Sequence, residues 1–265
     1  LEIGLVLSRF FLNTEHLHFG FWPDDLSVDL ENLKKAQDCH SDQILKSIPD
    51  GVKTVLDVGS GSGGLAEKLV ENGYNVDCVS PSDYLSDAIE EKLKNSVSVY
   101  RSTFEKLELN KKYDIVIFSE SFQYVNIKKS LKKIPHAVHD NGHLLICDFF
   151  RLPGTGTKPL GGGHDWKLFQ DSLASCSFTE LVNKDITKET ARTYDLISQI
   201  INEVADPVRS LSTKYLDSHY PKGMRLLRWY FKKKIRRINR IYFSGNMTGE
   251  MFKKLKTYRL LLYRI

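Results

Sequence analysis

No stretch of the 265 residues reaches the ~18 consecutive apolar residues of a membrane-crossing helix, which excludes a helical span. The opening LEIGLVLSRFFL is apolar but short, carries Arg9, and has no small-residue cleavage site. It reads as a helix or strand of the mature fold rather than a signal peptide. The chain begins at Leu1 rather than methionine, as expected where a leading piece has been removed. Cysteine is sparse: Cys39, Cys78, Cys147 and Cys176 lie far apart without a C-x-x-C pair. Neither a disulfide framework nor a zinc site is expected, no metal is assigned, and a reducing cytoplasm is the default compartment. Cys78 and Cys147 fall in strand-like runs, where a thiol packs as a small apolar group. There is neither an internal repeat nor a low-complexity tract.

Acid is missing from one place. RLLRWYFKKKIRRINR (225–240) holds eight of the 38 Lys/Arg and no Asp or Glu, leaving 30 basic residues against 33 acidic ones elsewhere. The net charge of +5 is therefore a local feature. Within that segment and just past it, Leu227, Phe231, Ile235, Ile238 and Tyr242 recur at helical spacing as one apolar stripe. Three readings stay open: a cap helix with a solvated basic face, a membrane surface, or an anionic acceptor such as a lipid or prenyl diphosphate. Nucleic acid is not expected as a partner, because no base-flipping N-P-P-Y motif and no separate binding module occur.

What is present, at 41% hydrophobic residues, suffices for one large α/β domain with a helical appendage. Residues 28–47 read as a helix. Strands follow at TVLDVG, YNVDCVS, VSVYRS, KKYDIVIFSE and HLLICDFF, alternating with helices through GLAEKLVEN, DAIEEKLKN and SLKKIPHAVHD. Asn141-Gly142 reads as a turn before the fifth strand. That alternation predicts a parallel sheet with helices on both sides. RLPGTGTKPLGGGHDW is a long glycine-rich loop, of a kind that is usually functional or mobile. A helix and a sixth strand follow. From Thr187 to about Lys256 the chain reads as helical, with breaks at Pro207 and at Pro221-Lys222-Gly223, and YRLLLYRI supplies the last strand. The insertion is expected to cap the sheet's carboxyl edge.

The first strand leads into TVLDVGSGSGGLAEKLV, which fits two patterns. Gly59, Gly61 and Gly64 satisfy the G-x-G-x-x-G of dinucleotide sites. Asp57, Gly59, Gly61 and Gly63 satisfy D-x-G-x-G-x-G, found in enzymes that bind S-adenosylmethionine. Asp57 separates them: a carboxylate at the strand end would repel a pyrophosphate but suits an ammonium and a sulfonium. At the end of the second strand, where an acid commonly holds ribose hydroxyls, stands Ser80, whose hydroxyl bonds them more weakly.

On these residues the chain resembles the class I S-adenosylmethionine-dependent methyltransferases over 54–150, and its last strand fits their seventh. The resemblance implies a doubly wound, Rossmann-like α/β sheet of seven strands with a helical cap inserted before the last. The implied divisions are an N-terminal helical segment closing over the cofactor (1–50), a cofactor-binding core (51–186), the cap (187–256) and the final strand (257–265). Asp57, Gly59 and Gly61 would hold the methionine end of the cofactor, Ser80 the ribose, and Thr103 with Phe104 the adenine; Ser119, at the end of the fourth strand, joins them. EHLHFGFWPDD (15–25) is similar to a segment of γ-tocopherol methyltransferases and, more loosely, of cyclopropane fatty acid synthases, where it folds over the cofactor. Phe19 and Trp22 could then meet the sulfonium through their faces, or else pack into the core. His16 and His18 read as ordinary packed histidines.

SESFQYV (119–125) is similar to the E-S-G-E-H-M stretch of the tocopherol enzymes, with Glu120 and Ser121 matching and Gln123-Tyr124 replacing the Glu-His pair. Glutamine takes no proton and tyrosine, with an ordinary pKa of ~10, is a poor base, so both are expected to orient the acceptor. His164 in GGGHDW is the other candidate base, or simply a capping histidine on an exposed loop. The resulting expectation is methyl transfer to a small, partly apolar or lipid- or prenyl-like acceptor. Its rivals are an NAD(P)-dependent oxidoreductase and an inactive cofactor-binding scaffold. The expected location is cytoplasmic, with membrane association through 225–240 left open.

Overall fold

The computed structural model describes residues 2–12, 14–155 and 160–265. Residues 156–159, in the glycine-rich loop, lie outside them. The helix expected over 28–47 is shorter, α2 (Leu33–Leu45), because the Asp29 carboxylate accepts from Ser27 and from the Asn32 backbone and closes a turn first. It is preceded by α1 (Glu2–Phe11) and by an extended stretch, 15–22, that runs over the sheet.

The sheet is laid down as β1 (Thr54–Val58), β2 (Asn75–Val79), β3 (Val97–Tyr100), β4 (Tyr113–Ser119), β5 (Val138–Arg151), β6 (His164–Asp165), β7 (Thr179–Asp185) and β8 (Lys256–Arg264). Its order is β3-β2-β1-β4-β5-β8-β7, with the two-residue β6 paired to β5 beside that path. The pairs from β3 to β5 are parallel, and β8 runs antiparallel to both β5 and β7. The strand order reverses at β1/β4, which opens a crevice at the carboxyl ends of those strands.

Both faces are buried, as the apolar runs require. Val55, Ile115 and Ile117 pack on one side under α2, α3 (Gly64–Glu71) and α4 (Asp83–Leu93). Leu56, Val116 and Phe118 pack on the other under α5 (Ile127–Ala137) and α6 (Trp166–Leu173). The turn expected at Asn141-Gly142 is instead an irregularity inside the fourteen-residue β5: Asn141 takes φ +62° and the pairing with β4 shifts register there. Sequence alone does not distinguish a bulge from a turn here, since both use a left-handed asparagine.

The insertion comprises α7 (Thr187–Ile200), α8 (Asp206–His219), α9 (Pro221–Tyr230), α10 (Lys232–Tyr242) and α11 (Gly249–Leu255). Pro207 does not break the chain's helical course. A π-helical turn at Ile201–Ala205 leads directly into α8, whose first turn needs no proline N–H. The basic segment is not one helix but two, parting at Phe231. Only α7 and α11 reach the core, through Ala191, Tyr194, Leu196 and Phe252. In α8, α9 and α10 no described residue is buried, so this part stands off as an arm. The final strand starts at Lys256, one residue before the expected boundary.

Candidate active site

At the β1/β4 crevice lies a cavity of about 320 Å³. Its floor is the turn after β1. Gly59 (φ +76°) and Gly63 (φ +83°) adopt left-handed conformations, and the Gly59 N–H bonds the Val79 carbonyl at 2.8 Å. A Cβ on Gly59 would strike Ser121, whereas one on Gly61 would meet nothing within 4 Å. Glycine at 59 therefore permits close packing of β1 against the β4 loop, and glycine at 61 leaves the backbone open to the cavity.

Asp57 is 1% exposed, lines the cavity, and its Oδ2 has no hydrogen-bond partner. Burial pushes its carboxyl up to about 7, against a smaller opposing hydrogen bond from Ser60. A buried carboxylate with one unpartnered oxygen, near the α3 N-terminus, suits a ligand with both an ammonium and a carboxylate, because α3's first-turn N–H groups favour the latter. The residues present therefore fit the amino-acid end of S-adenosylmethionine. Ser80, Thr103, Phe104 and Ser119 also line the cavity, as does Tyr124, which is 70% exposed at its rim.

The remaining expected residues are elsewhere. Trp22 is fully buried against Leu33, Ala36 and Leu196, and its Nε1 donates to Thr193 Oγ1 at 2.9 Å. It is a core residue between α2 and α7, with no face toward the cavity. Phe19 packs its ring on Phe149, Tyr194, Phe252 and Tyr258. Its contribution near the site is its backbone N–H, which bonds Glu120 Oε1 at 2.7 Å. The segment does close the cavity, through His16, Leu17 and His18. A Cβ on Gly64 would sit 2.7 Å from His16 Nδ1, which shows how tightly this segment lies on the glycine turn. Burial holds both histidines below their ordinary pKa, His18 strongly so.

Gln123 does not line the cavity. Its backbone N–H donates to Asp148 Oδ2 at 2.9 Å. His164 does not line it either. Its Nε2 lies 2.9 Å from the carbonyls of Phe122 and Val125, in strand β6, and burial lowers its pKa. A ring nitrogen between two carbonyls carries the proton and donates, so that nitrogen cannot act as a base.

The group missed from sequence is Glu120. It follows β4 with φ +51°, rare for a residue with a side chain, and lines the cavity. Burial raises its carboxyl to about 8, against the hydrogen bond from Tyr258. Tyr258 OH donates to Glu120 Oε1 at 2.6 Å, and His40 Nε2 lies 2.9 Å from the same hydroxyl. The match of Glu120 to related motifs was the available signal; nothing local pointed to Tyr258 or His40.

Comparison with known proteins agrees with this geometry. Residues 56–146 match a protein-family model described as a methyltransferase domain. An uncharacterized methyltransferase of Staphylococcus carnosus is 31% identical over 97 residues, covering 36% of this chain and 46% of that protein. A ubiquinone biosynthesis O-methyltransferase of Rickettsia canadensis is 32% identical over 105 residues, covering 37% and 43%. The chain thus spans less than half the length of these curated relatives. Among solved structures, geranyl diphosphate C-methyltransferase of Streptomyces coelicolor, bound to S-adenosyl-L-homocysteine, superposes with a TM-score of 0.69 at 14% identity over 94% of this chain and 89% of that one. The cyclopropane synthase MmaA2 of Mycobacterium tuberculosis gives 0.68 at 15% identity over 97% and 93%. Residues 56–146 thus carry a methyltransferase domain, within a fold shared with these solved structures.

Proposed function

We propose that this chain transfers a methyl group from S-adenosylmethionine to a small, partly apolar acceptor of lipid or prenyl type. The observation that carries the reading is Asp57 Oδ2, a carboxylate oxygen buried without a hydrogen-bond partner at the cavity wall beside the glycine turn. Asp57, Gly59 and Gly61 would hold the amino-acid end, Ser80 the ribose, and Thr103 with Phe104 the adenine. When bound, the cofactor supplies an electrophilic methyl group on a sulfonium. Leu17, Leu65, Leu85 and Val125 give the cavity apolar walls, which exclude water and favour an apolar acceptor. Geranyl diphosphate, bound in one of the solved neighbours, is of that kind.

Glu120 is the carboxyl placed to take a proton from the acceptor, because it lines the cavity and its raised pKa brings proton exchange near neutral pH. Tyr124 at the rim is placed to orient the acceptor by hydrogen bonding. The basic segment 225–240 supplies cations for an anionic group, lipid phosphate or diphosphate, associated with the acceptor.

Calorimetry with S-adenosylhomocysteine, with NADH as control, tests the cofactor assignment. The adduct should bind and NADH should not, and the reverse would end this reading. Incubation of lipid and prenyl extracts with methyl-labelled cofactor, followed by mass spectrometry, identifies the acceptor. Label found only in polar, water-soluble products would remove the lipid or prenyl assignment.

A further inference from the structure

The α8–α10 arm is built unlike the rest of the molecule. Three helices in succession bury nothing, yet they carry a large share of the exposed apolar side chains. On α9, Leu226, Trp229 (73% exposed) and Tyr230 (72% exposed) stand at i, i+3 and i+4 and so share one face. Val204, Val208, Leu211 and Tyr215 repeat that arrangement along the π turn and α8. The next helix, α10, carries Lys232, Lys233, Lys234, Arg236, Arg237 and Arg240, and among the described residues none of them forms an ion pair. The nearby acids are already engaged: Asp206 pairs with Arg209, and Asp217 with Arg228 at 2.6 Å.

We propose that this arm docks the enzyme on an anionic membrane surface. It rests on the reading of 225–240 as meeting an anionic, lipid-associated partner. Six unpaired cations on the helix that follows exposed Leu, Trp and Tyr match the chemistry of an acidic headgroup layer over an apolar interior. Trp and Tyr suit that boundary because each joins an apolar ring to a polar edge. Among the described residues no helix is long and apolar enough to cross a membrane, so the contact lies in the surface plane. Topology adds a purpose. β7 ends and β8 begins at the sheet's carboxyl edge, so the arm leaves from the same edge that holds the cavity. Docking there would present the cavity's edge of the sheet to an acceptor dissolved in the bilayer.

The test is vesicle flotation of the full chain. Vesicles of phosphatidylcholine alone are compared with vesicles containing phosphatidylglycerol. The protein should float with the anionic vesicles only, and less so as salt rises, because exposed charges are screened over ~8 Å at physiological ionic strength. Combined reversal Lys232→Glu, Lys233→Glu and Arg236→Glu should weaken that binding by about tenfold or more. Leu226→Ser with Trp229→Ser should weaken it comparably by removing the apolar anchor. Neither variant touches the core, so thermal unfolding and S-adenosylhomocysteine affinity should stay as in the parent; loss of that affinity in the parent would fault the cofactor reading instead. Equal binding to neutral vesicles, or survival of binding in both variants, would overturn the proposal. So would inorganic diphosphate binding lost on charge reversal in a chain that ignores vesicles, which marks a soluble-anion site. A dimer that the Leu226→Ser, Trp229→Ser variant converts to a monomer, seen by light scattering with no vesicle binding by the parent, would assign the face to a second copy.

Discussion

Tyr258 on β8 donates a 2.6 Å hydrogen bond to Glu120 at the end of β4, from 138 residues away. The hydroxyl has one proton and gives it to the carboxylate, so His40 Nε2, 2.9 Å from the same oxygen, is the donor to it. His40 is then the neutral tautomer protonated at Nε2, consistent with burial lowering its pKa to about 3 and with its Nδ1 lacking a partner. Cavity carboxyl, phenol and imidazole thus form one hydrogen-bonded line into the core.

Tyr258→Phe should shift the pH dependence of turnover. The Tyr258 bond opposes the rise that burial imposes on Glu120, so its loss moves the carboxyl above about 8. A base must be ionised, so activity climbs through that pKa, and the rising limb of kcat/KM should move to higher pH. Stability should drop by about 1–3 kcal/mol as the His40 N–H loses its acceptor. Glu120→Gln should abolish the limb and lower kcat by about 10²–10⁴. An unchanged pH profile in both variants would remove Glu120 from proton transfer.

The affinity for S-adenosylhomocysteine should depend on Asp57 ionisation. An ammonium binds the carboxylate form, whose carboxyl is raised to about 7 in the free protein. Below that pH, binding must first release a proton, so the dissociation constant should rise by about tenfold per pH unit. Above pH 7 it should level off. Asp57→Ala should cost about 2 kcal/mol or more at neutral pH and flatten the dependence. In the free protein the raised pKa works against folding as pH rises: between the ordinary value and about 7 the folded state holds a proton that the unfolded chain releases. Stability should therefore decline across that window, and calorimetric melts with and without ligand measure both effects.

Gly59→Ala and Gly61→Ala should differ. Both positions have positive φ, and each alanine carries a backbone cost of about 1 kcal/mol. Only at Gly59 does the new methyl group collide with Ser121, which is held by a bond from its Oγ to the Val58 carbonyl. Gly59→Ala should therefore lose about 1–3 kcal/mol more in urea unfolding than Gly61→Ala. Equal losses would mean that the β4 loop moves aside without cost.

Trp22→Ala should destabilise by about 3–5 kcal/mol while leaving S-adenosylhomocysteine affinity nearly unchanged after correction for unfolded protein. A core tryptophan bonded to Thr193 has this signature; a ring facing the cofactor would lose affinity first. Urea unfolding and calorimetry on the same sample separate the two.

The sequence by itself determined the layered sheet, because apolar runs alternate with turn residues and each run is buried on both faces. It also placed the cofactor turn: left-handed geometry at Gly59 and Gly63 is a local demand, and Asp57 precedes it by two residues. These properties depend on neighbours along the chain. The tertiary structure decided everything that depends on which distant surface a side chain meets. Trp22 and Phe19 were legible as buried aromatics, but only the placement of α7 against α2 turned Trp22 into core. His164 was legible as a histidine in a flexible-looking loop, and the two carbonyls at its ring engaged it. The basic stripe at 225–242 has the period of an inward-facing helix, yet the chain parts at Phe231 and leaves Leu227, Ile238 and Tyr242 half-exposed. Glu120 gained Tyr258 as a partner, and His40 behind it, only through the tertiary fold, those two being 218 residues apart in the chain. Periodicity states that a side chain is covered; it carries no information about the residue that covers it.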